Sequence, residues 1–346
     1  MALSPTEGVE RVEALRVPAS PSAAAPDSKD WYHVVLLHAA SGWRAIANVN
    51  LDGSGDDALL EWTLVVYAPG APSRLYGTSR SEPWRPGMVQ ARPLAIVGND
   101  VSYGFDGRQI ALRIAPGDLE LQLNLVARPA ATPLLVSEGA PFGSGYFGWG
   151  IVPVLQAEGE IATCGRSELI DSSWFCYHDH NFGRFRWGED FGWEWLVAHV
   201  IGEGGEPMTV IADWRTDRVH SPGGLLHVYI VLGGRVRKVF LGPAVRLRWL
   251  WHDEVTLPAR LPGTMATLLA DRPSRCPRAI VLDAADERDR IQLTVDVDAY
   301  FEVIAPDARS TAATRIGETS GLATVELRLA DSCLAGRGLA YAEYTQ

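Results

Sequence analysis

Leu119, Leu121, Leu123 and Leu125 alternate with Glu120, Gln122 and Asn124, a period of two that puts the leucines on one face of an extended chain and the polar side chains on the other. The same alternation runs through Ile291-Gln-Leu-Thr-Val-Asp-Val-Asp298 and Val325-Glu-Leu-Arg-Leu329. Between Leu225 and Leu241, Gly233-Gly234 separates two strand-like runs, which is the signature of a tight hairpin. No amphipathic helix of more than about three turns is apparent, so folds that need crossover helices between parallel strands are disfavoured. The expectation is an all-β protein. So many strands must avoid leaving bare sheet edges, and closure into barrels achieves this.

At 346 residues the chain has room for two such halves, and the 34 glycines and 22 prolines suit many turns. We expect folded halves over residues 30–190 and 191–346, joined around residues 185–195. Residues 1–29 contain the Pro/Ser/Ala tract Pro18 to Pro26 and read as a disordered N-terminal arm, with folded structure beginning near Trp31.

A formal net charge of −11 and few lysines oppose binding to nucleic acid or to an anionic bilayer, both of which need a basic surface. A small-molecule partner is expected instead. No run approaches the ~20 apolar residues needed to span a bilayer, and the N-terminus lacks the layout of a secretory signal. Cys164, Cys176, Cys276 and Cys333 are scattered with no C-x-x-C pair, which fits a reducing cytoplasm and gives no zinc-ribbon spacing.

The chemistry concentrates between Trp174 and Trp187. If residues 174–182 form a strand, Tyr177, Asp179 and Asn181 face one side and Cys176, His178, His180 and Phe182 the other. The two histidines then share a face. That spacing can bind a metal, with His199, Glu194 or Asp213 as further ligands, but H-x-H alone is weak evidence and no metal or cofactor is expected. The bland alternative makes His178 and His180 hydrogen-bonded braces, with Asp179 fixing a tautomer or accepting N–H groups. In the next alternating run Phe191, Trp193, Trp195, Val197 and His199 share one face, while Glu194, Leu196 and Ala198 take the other. These rings, with Tyr146, Trp149 and Trp214, either line a pocket or simply fill a Trp-rich core. Asp213, in the apolar run Met208 to Arg215, must pair with Arg215 or Arg218 or have its pKa raised by burial and serve as an acid.

Gly143-Ser-Gly-Tyr-Phe-Gly148 matches G-x-G-x-x-G, yet no helix-forming sequence follows, so it reads as a flexible loop near a pocket and not as a dinucleotide site. Neither a G-x-S-x-G elbow nor a Walker-type loop is present.

Gly159-Glu-Ile-Ala-Thr-Cys-Gly165, Tyr177-His-Asp-His-Asn-Phe-Gly183 and Trp193-Glu-Trp195 resemble the pattern of the carotenoid 1,2-hydratase and AttH-like superfamily, and Gly336-Arg-Gly-Leu-Ala-Tyr-Ala-Glu343 is similar to its closing strand. The resemblance implies two lipocalin-like barrels in tandem, with a ligand pocket at or near their junction. By the same resemblance His180 matches a His of the hydratase set and Asp213 its acid. Phe182 replaces a Trp, and Ile211 stands where a Tyr is expected, which puts carotenoid hydration itself in doubt.

The function expected is that of a cofactor-independent intramolecular cyclase, of the Diels–Alderase type, acting on a hydrophobic polyene, polyketide or isoprenoid intermediate. His180, Asp213, Asp179 and Asn181 are the candidate catalytic residues. Tyr177, His178, Phe182, Trp193, Trp195, His199, Trp214, Tyr146 and Trp149 are the candidate substrate-binding residues. Addition of water to an isoprenoid double bond is the alternative, and a non-enzymatic lipocalin-type carrier is the third possibility.

Overall fold

The structure, a computed structural model, describes residues 5–70, 74–186, 189–219, 224–261, 269–306, 313–330 and 332–345. The chain divides into two compact units, Met1–Phe185 and Arg186–Gln346, a few residues before the expected boundary at 190.

In the first unit, β1 (Ser28–Leu37), β2 (Arg44–Asp52), β3 (Leu59–Ala68) and β4 (Arg74–Pro83) form a meander. A second meander follows: β5 (Val89–Ala91), β6 (Leu94–Val97), β7 (Val101–Phe105), β8 (Ile110–Ile114) and β9 (Leu121–Pro129). Then come β10 (Leu134–Phe142), the long β11 (Gly145–Thr163), β12 (Arg166–Ile170) and β13 (Phe175–Arg184). Strand β13 pairs with β1 on one side and β11 on the other, so it joins the two meanders into one antiparallel sheet ordered β4-β3-β2-β1-β13-β11-β9-β8-β7-β6-β5. That sheet curls. Glu82 of β4 accepts hydrogen bonds from Asn99 N (2.8 Å) and Nδ2 (2.6 Å) in the β6–β7 turn, bringing its two ends together.

The second unit repeats the plan with β14 (Phe191–Gly202), β15 (Pro207–Asp217), β16 (Gly224–Leu232), β17 (Arg235–Leu241), β18 (Val245–Thr256) and the short β19 (Ala259–Arg260). It ends with β20 (Ser274–Ala285), β21 (Arg290–Pro306), β22 (Ala313–Leu329) and β23 (Ser332–Thr345). Its order is β17-β16-β15-β14-β23-β22-β21-β20-β18. Lys238 of β17 pairs with Asp286 and Asp289 at the β20–β21 turn, so this sheet also curls round on itself. Among the described residues no helix is long and apolar enough to cross a membrane.

Alternation carries this architecture. Leu121, Leu123 and Leu125 are buried on the inner side of β9, whereas Leu119 lies before the strand and is exposed. Gly233 and Gly234 both adopt positive φ (57° and 70°), as the two-residue turn of the β16–β17 hairpin requires. Each unit closes over its own aliphatic core: Leu36, Leu64, Leu112 and Ile161 belong to the first, Leu196, Val210, Ile280 and Leu293 to the second.

Two expectations are corrected. Residues 5–29 are not a loose arm: α1 (Pro5–Val12) buries Val9 and Val12 completely within the first unit's core, and Val17 follows them. Burial of each valine stabilises this placement by roughly 1.5–3 kcal/mol, enough to hold a segment whose composition alone looks unstructured. Nor is the stretch from Gly143 to Gly148 a flexible loop. It turns β10 into β11, and the glycines work within the strand: a Cβ on Gly148 would stand 2.1 Å from the Phe182 ring, and one on Gly150 would press on Val12 at 3.0 Å. Gly148→Ala therefore forces the fully enclosed Phe182 ring to move, and we expect a loss of about 1–3 kcal/mol in chemical denaturation. An unchanged midpoint would mean that this ring has room to yield.

Candidate functional site

The histidines of β13 do share a face, as their spacing dictates, and it is the face turned toward the first unit's core. His178 Nδ1 donates to the His33 carbonyl (2.8 Å), and Nε2 meets Glu13 Oε1 at 2.6 Å. His180 Nδ1 donates to the Val12 carbonyl (2.6 Å), and its Nε2 contacts Asp30 Oδ1. Asp30 Oδ2 in turn accepts the backbone N–H groups of Arg16 (2.6 Å) and Val17 (2.9 Å), while Tyr103 donates to Glu13 at 2.5 Å. Tyr32 stacks on His180 with ring centroids 4.2 Å apart. Each imidazole thus has both nitrogens engaged and is wholly enclosed, and the two rings pin the N-terminal segment inside the unit. Phe182 packs beside His180 under the Arg16 guanidinium.

On the opposite face of β13 a second polar set is built. Asp179 accepts from the Tyr177 hydroxyl (2.7 Å) and from Asn181 Nδ2 (2.7 Å), one to each carboxylate oxygen, and all three are buried. Trp149 stands directly across from Asn181 on β11 and is also buried. Tyr146, by contrast, is on the side of Gly148 and Gly150 and is partly exposed.

In the second unit the outward side of β14 and β15 carries Trp193, Trp195, His199 and Asp213 together, in direct cross-strand register: Trp193 opposite Arg215, Trp195 opposite Asp213, His199 opposite Thr209. Arg215 Nε donates to both Asp213 oxygens (3.0 and 2.8 Å), so of the two fates open to Asp213 the chain adopts pairing. His227, opposite Asp213 on β16, is shifted down by burial against the opposing pull of the Asp213 charge, and burial pushes the neighbouring Tyr229 up to about 12. His199 is driven down to about 4 by burial and is a neutral hydrogen-bond partner of Thr209 Oγ1 (3.1 Å) at neutral pH. Trp214 belongs to the other side of the sheet, with Glu194 and Ala212, and is not part of this set. There Glu194 accepts from Trp249 Nε1 (2.7 Å), and burial raises its pKa to about 7. Trp187 and the side chain of Phe191 lie outside the described residues.

The same outward face continues onto β23 and β22. Trp195 is opposite Glu343, and Glu343 is opposite Glu318, so Glu318, Glu343, Trp195 and Asp213 form one row across four strands. Trp193 Nε1 donates to Glu343 Oε2 (3.1 Å). Sequence reasoning missed Glu13, Asp30 and Glu318 as site neighbours. Nothing beside Glu13 or Asp30 in the chain indicates their partners, Glu318 lies in a Gly-, Thr- and Ser-rich stretch, and only strand pairing and packing reveal that all three are buried.

No protein-family model and no curated sequence matches this chain. Among solved structures, kievitone hydratase from Nectria haematococca superposes with a TM-score of 0.62 at 11% identity, over 97% of this chain and 95% of that one. A putative AttH from Nitrosomonas europaea gives 0.59 at 16% identity, over 95% and 96%. CghA gives 0.53 at 13% identity, over 96% and 93%. At these identities what is shared is the fold, and it extends over nearly the whole of every chain compared. The protein therefore has a two-unit, lipocalin-like fold that it shares with kievitone hydratase, a putative AttH and CghA.

Proposed function

We propose that the chain is a cofactor-independent cyclase that folds an apolar polyene, polyketide or isoprenoid chain into a reactive shape. The observation that carries this is the outward face of the second unit, where Trp193, Trp195 and Tyr229 surround a carboxylate, Asp213, held in place by Arg215. Flat rings suit an unsaturated chain, and a fixed dipole among them orients a polar group on it. Holding two reacting ends together contributes up to roughly 7–11 kcal/mol to lowering a barrier, so the chemistry asks little more of the protein than shape and a few hydrogen bonds. The fold shared with CghA, a protein solved with Sch210972, supports a ligand-handling role for this scaffold. His180 is left out of the chemistry because both of its nitrogens are engaged in holding the N-terminal segment. Asp179, Asn181 and Tyr177 remain candidates for polar contacts to substrate.

Addition of water is the second reading, favoured by the likeness to kievitone hydratase. It is weakened by the pairing of Asp213 with Arg215, which keeps that carboxylate from serving as the proton donor. Mass spectrometry of the product from a linear polyene substrate separates the possibilities. Cyclisation leaves the mass unchanged while conjugated absorption is lost, whereas hydration adds one water. A carrier returns its ligand as it was, and either of the latter results removes the cyclase reading. If the face described is the site, Asp213→Asn lowers kcat by about ten- to a hundredfold, the range of one or two lost transition-state hydrogen bonds, when assayed well below the variant's own Tm, which falls because Arg215 loses its carboxylate.

A further inference from the structure

Glu318 and Glu343 stand directly opposite one another on β22 and β23, both buried, at 2% and 4% exposure. Two carboxylates so placed cannot both ionise in a dry setting. The pair is asymmetric. Glu343 keeps one oxygen on the Trp193 indole N–H, which favours its charged form, whereas burial and the Glu343 charge push Glu318 well above the ordinary carboxylate range. Beside Glu318 lies the Tyr341 hydroxyl, equally buried and held neutral by burial and by the two acids. The Tyr341 hydroxyl and the Glu318 carboxyl are within hydrogen-bonding reach of each other, but neither Tyr341 Oη nor Glu318 Oε2 has a well-aligned partner. A donor and an acceptor enclosed side by side but poorly aligned forgo part of the roughly 0.5–1.5 kcal/mol of a full hydrogen bond, and among the described residues the fold supplies no better-aligned partner. A ligand oxygen gives one.

We propose that Glu318 and Glu343 hold one proton between them and, with the Tyr341 hydroxyl, bind and activate a carbonyl oxygen of the substrate. This rests on the cyclase reading and narrows its substrate class to apolar chains bearing an α,β-unsaturated carbonyl. The row runs from Glu318 through Glu343 and Trp195 to Asp213, with neighbouring strands about 4.8 Å apart, so one end of a substrate reaches the acids while its body lies on the tryptophan. As ring closure proceeds, the carbonyl π pair moves onto oxygen and the shared proton shifts toward it. The proton returns to the acids when the carbonyl re-forms. No proton or electron is consumed, and no co-reactant is needed. The arrangement matches in kind a neutral carboxylic acid and a tyrosine acting together as donors to a developing oxyanion.

The test has a part that does not depend on turnover. Infrared spectra of the ligand-free protein at neutral pH are expected to contain, beside the band of half-protonated Glu194, a further protonated-carboxyl C=O component that is lost in Glu318→Gln. Identical spectra for the two would overturn the proposal. Benzylideneacetone, an apolar enone, isotope-labelled at its carbonyl, is expected to bind with its C=O stretch lowered, and Tyr341→Phe, which keeps the ring, should reduce that lowering. No lowering in the parent protein would also overturn it. In turnover, Glu318→Gln should lower kcat by about a hundredfold with KM little changed. A protonated-acid band and a lowered enone stretch without any cyclised product would leave the acid site standing and remove the cyclase reading. Cyclised product formed at the parental rate by Glu318→Gln would do the reverse.

Discussion

Glu13→Ala is expected to destabilise the first unit by about 3–5 kcal/mol, the loss that follows when one partner of a buried ion pair is removed and the other stays behind. Glu13 is only 1% exposed, faces His178 at 2.6 Å and accepts the Tyr103 hydroxyl, so alanine strands an imidazole and a phenol in a sealed core. For a domain of this size the change amounts to about 10 °C in Tm. A variant lacking residues 1–17 should lose at least as much, since Val9, Val12 and Val17 leave the core with it. The pair also imprints a pH dependence. Burial alone would push Glu13 up and His178 down, but each is outweighed by the charge and hydrogen bond of the other, and Glu13 ends below its ordinary 4.5 and His178 above its ordinary 6.5. The His178 contribution is complete below 6.5 and fades as pH rises through its elevated folded value. The Glu13 contribution is complete above 4.5 and fades as pH falls through its depressed folded value. Stability from this contact is therefore fullest between 4.5 and 6.5, and in Glu13→Gln the Tm against pH should flatten on both sides of that window. Parallel pH profiles for the two proteins would show that the contact is not what holds the segment.

Strands were legible because a sheet with one buried face writes its period directly into the chain. Leu121 to Leu125, Ile291 to Val297 and Val325 to Leu329 all fall in strands with those faces inward, and the Gly233-Gly234 turn sits where the pattern breaks. The placement of His178 with His180, and of Trp193 with Trp195 and His199, followed from the same rule. Partners across long sequence separations did not. Nothing local in Glu13 or Asp30 indicates that they meet histidines more than a hundred residues away, and a short helix such as α1 carries too few turns for an apolar stripe to stand out from its Pro- and Ala-rich surroundings. Glu318 was hidden for the opposite reason. It sits in Gly317-Glu-Thr-Ser-Gly321, which reads as a solvated edge, although β22 is paired on both sides there and the glycines leave space for neighbours: a Cβ on Gly317 would overlap the Tyr344 ring, and one on Gly321 the Asp296 carbonyl.

Arg215→Met is the other change with a large expected effect, again about 3–5 kcal/mol, and its pH dependence runs opposite to that of a typical ion-pair loss. Arg215 is 12% exposed at its side chain and Asp213 4%, so methionine fills most of the same volume but removes two charge-assisted hydrogen bonds from a carboxylate that remains enclosed. Burial then dominates at Asp213 and raises its folded pKa above the unfolded one. A group in that position binds its proton more tightly when folded, so stability falls as pH rises through the unfolded value and is regained on acidification. The parent protein should lack that recovery. The same shift turns Asp213 into a neutral acid facing Trp195, the state that addition of water across a double bond requires. If the variant, assayed at mildly acidic pH, releases product heavier by one water where the parent releases none, then Arg215 is the residue that separates the two reactions on this scaffold. If its stability follows the parent's at every pH, the Asp213–Arg215 contact carries no net weight and the carboxylate must draw its hold from other neighbours.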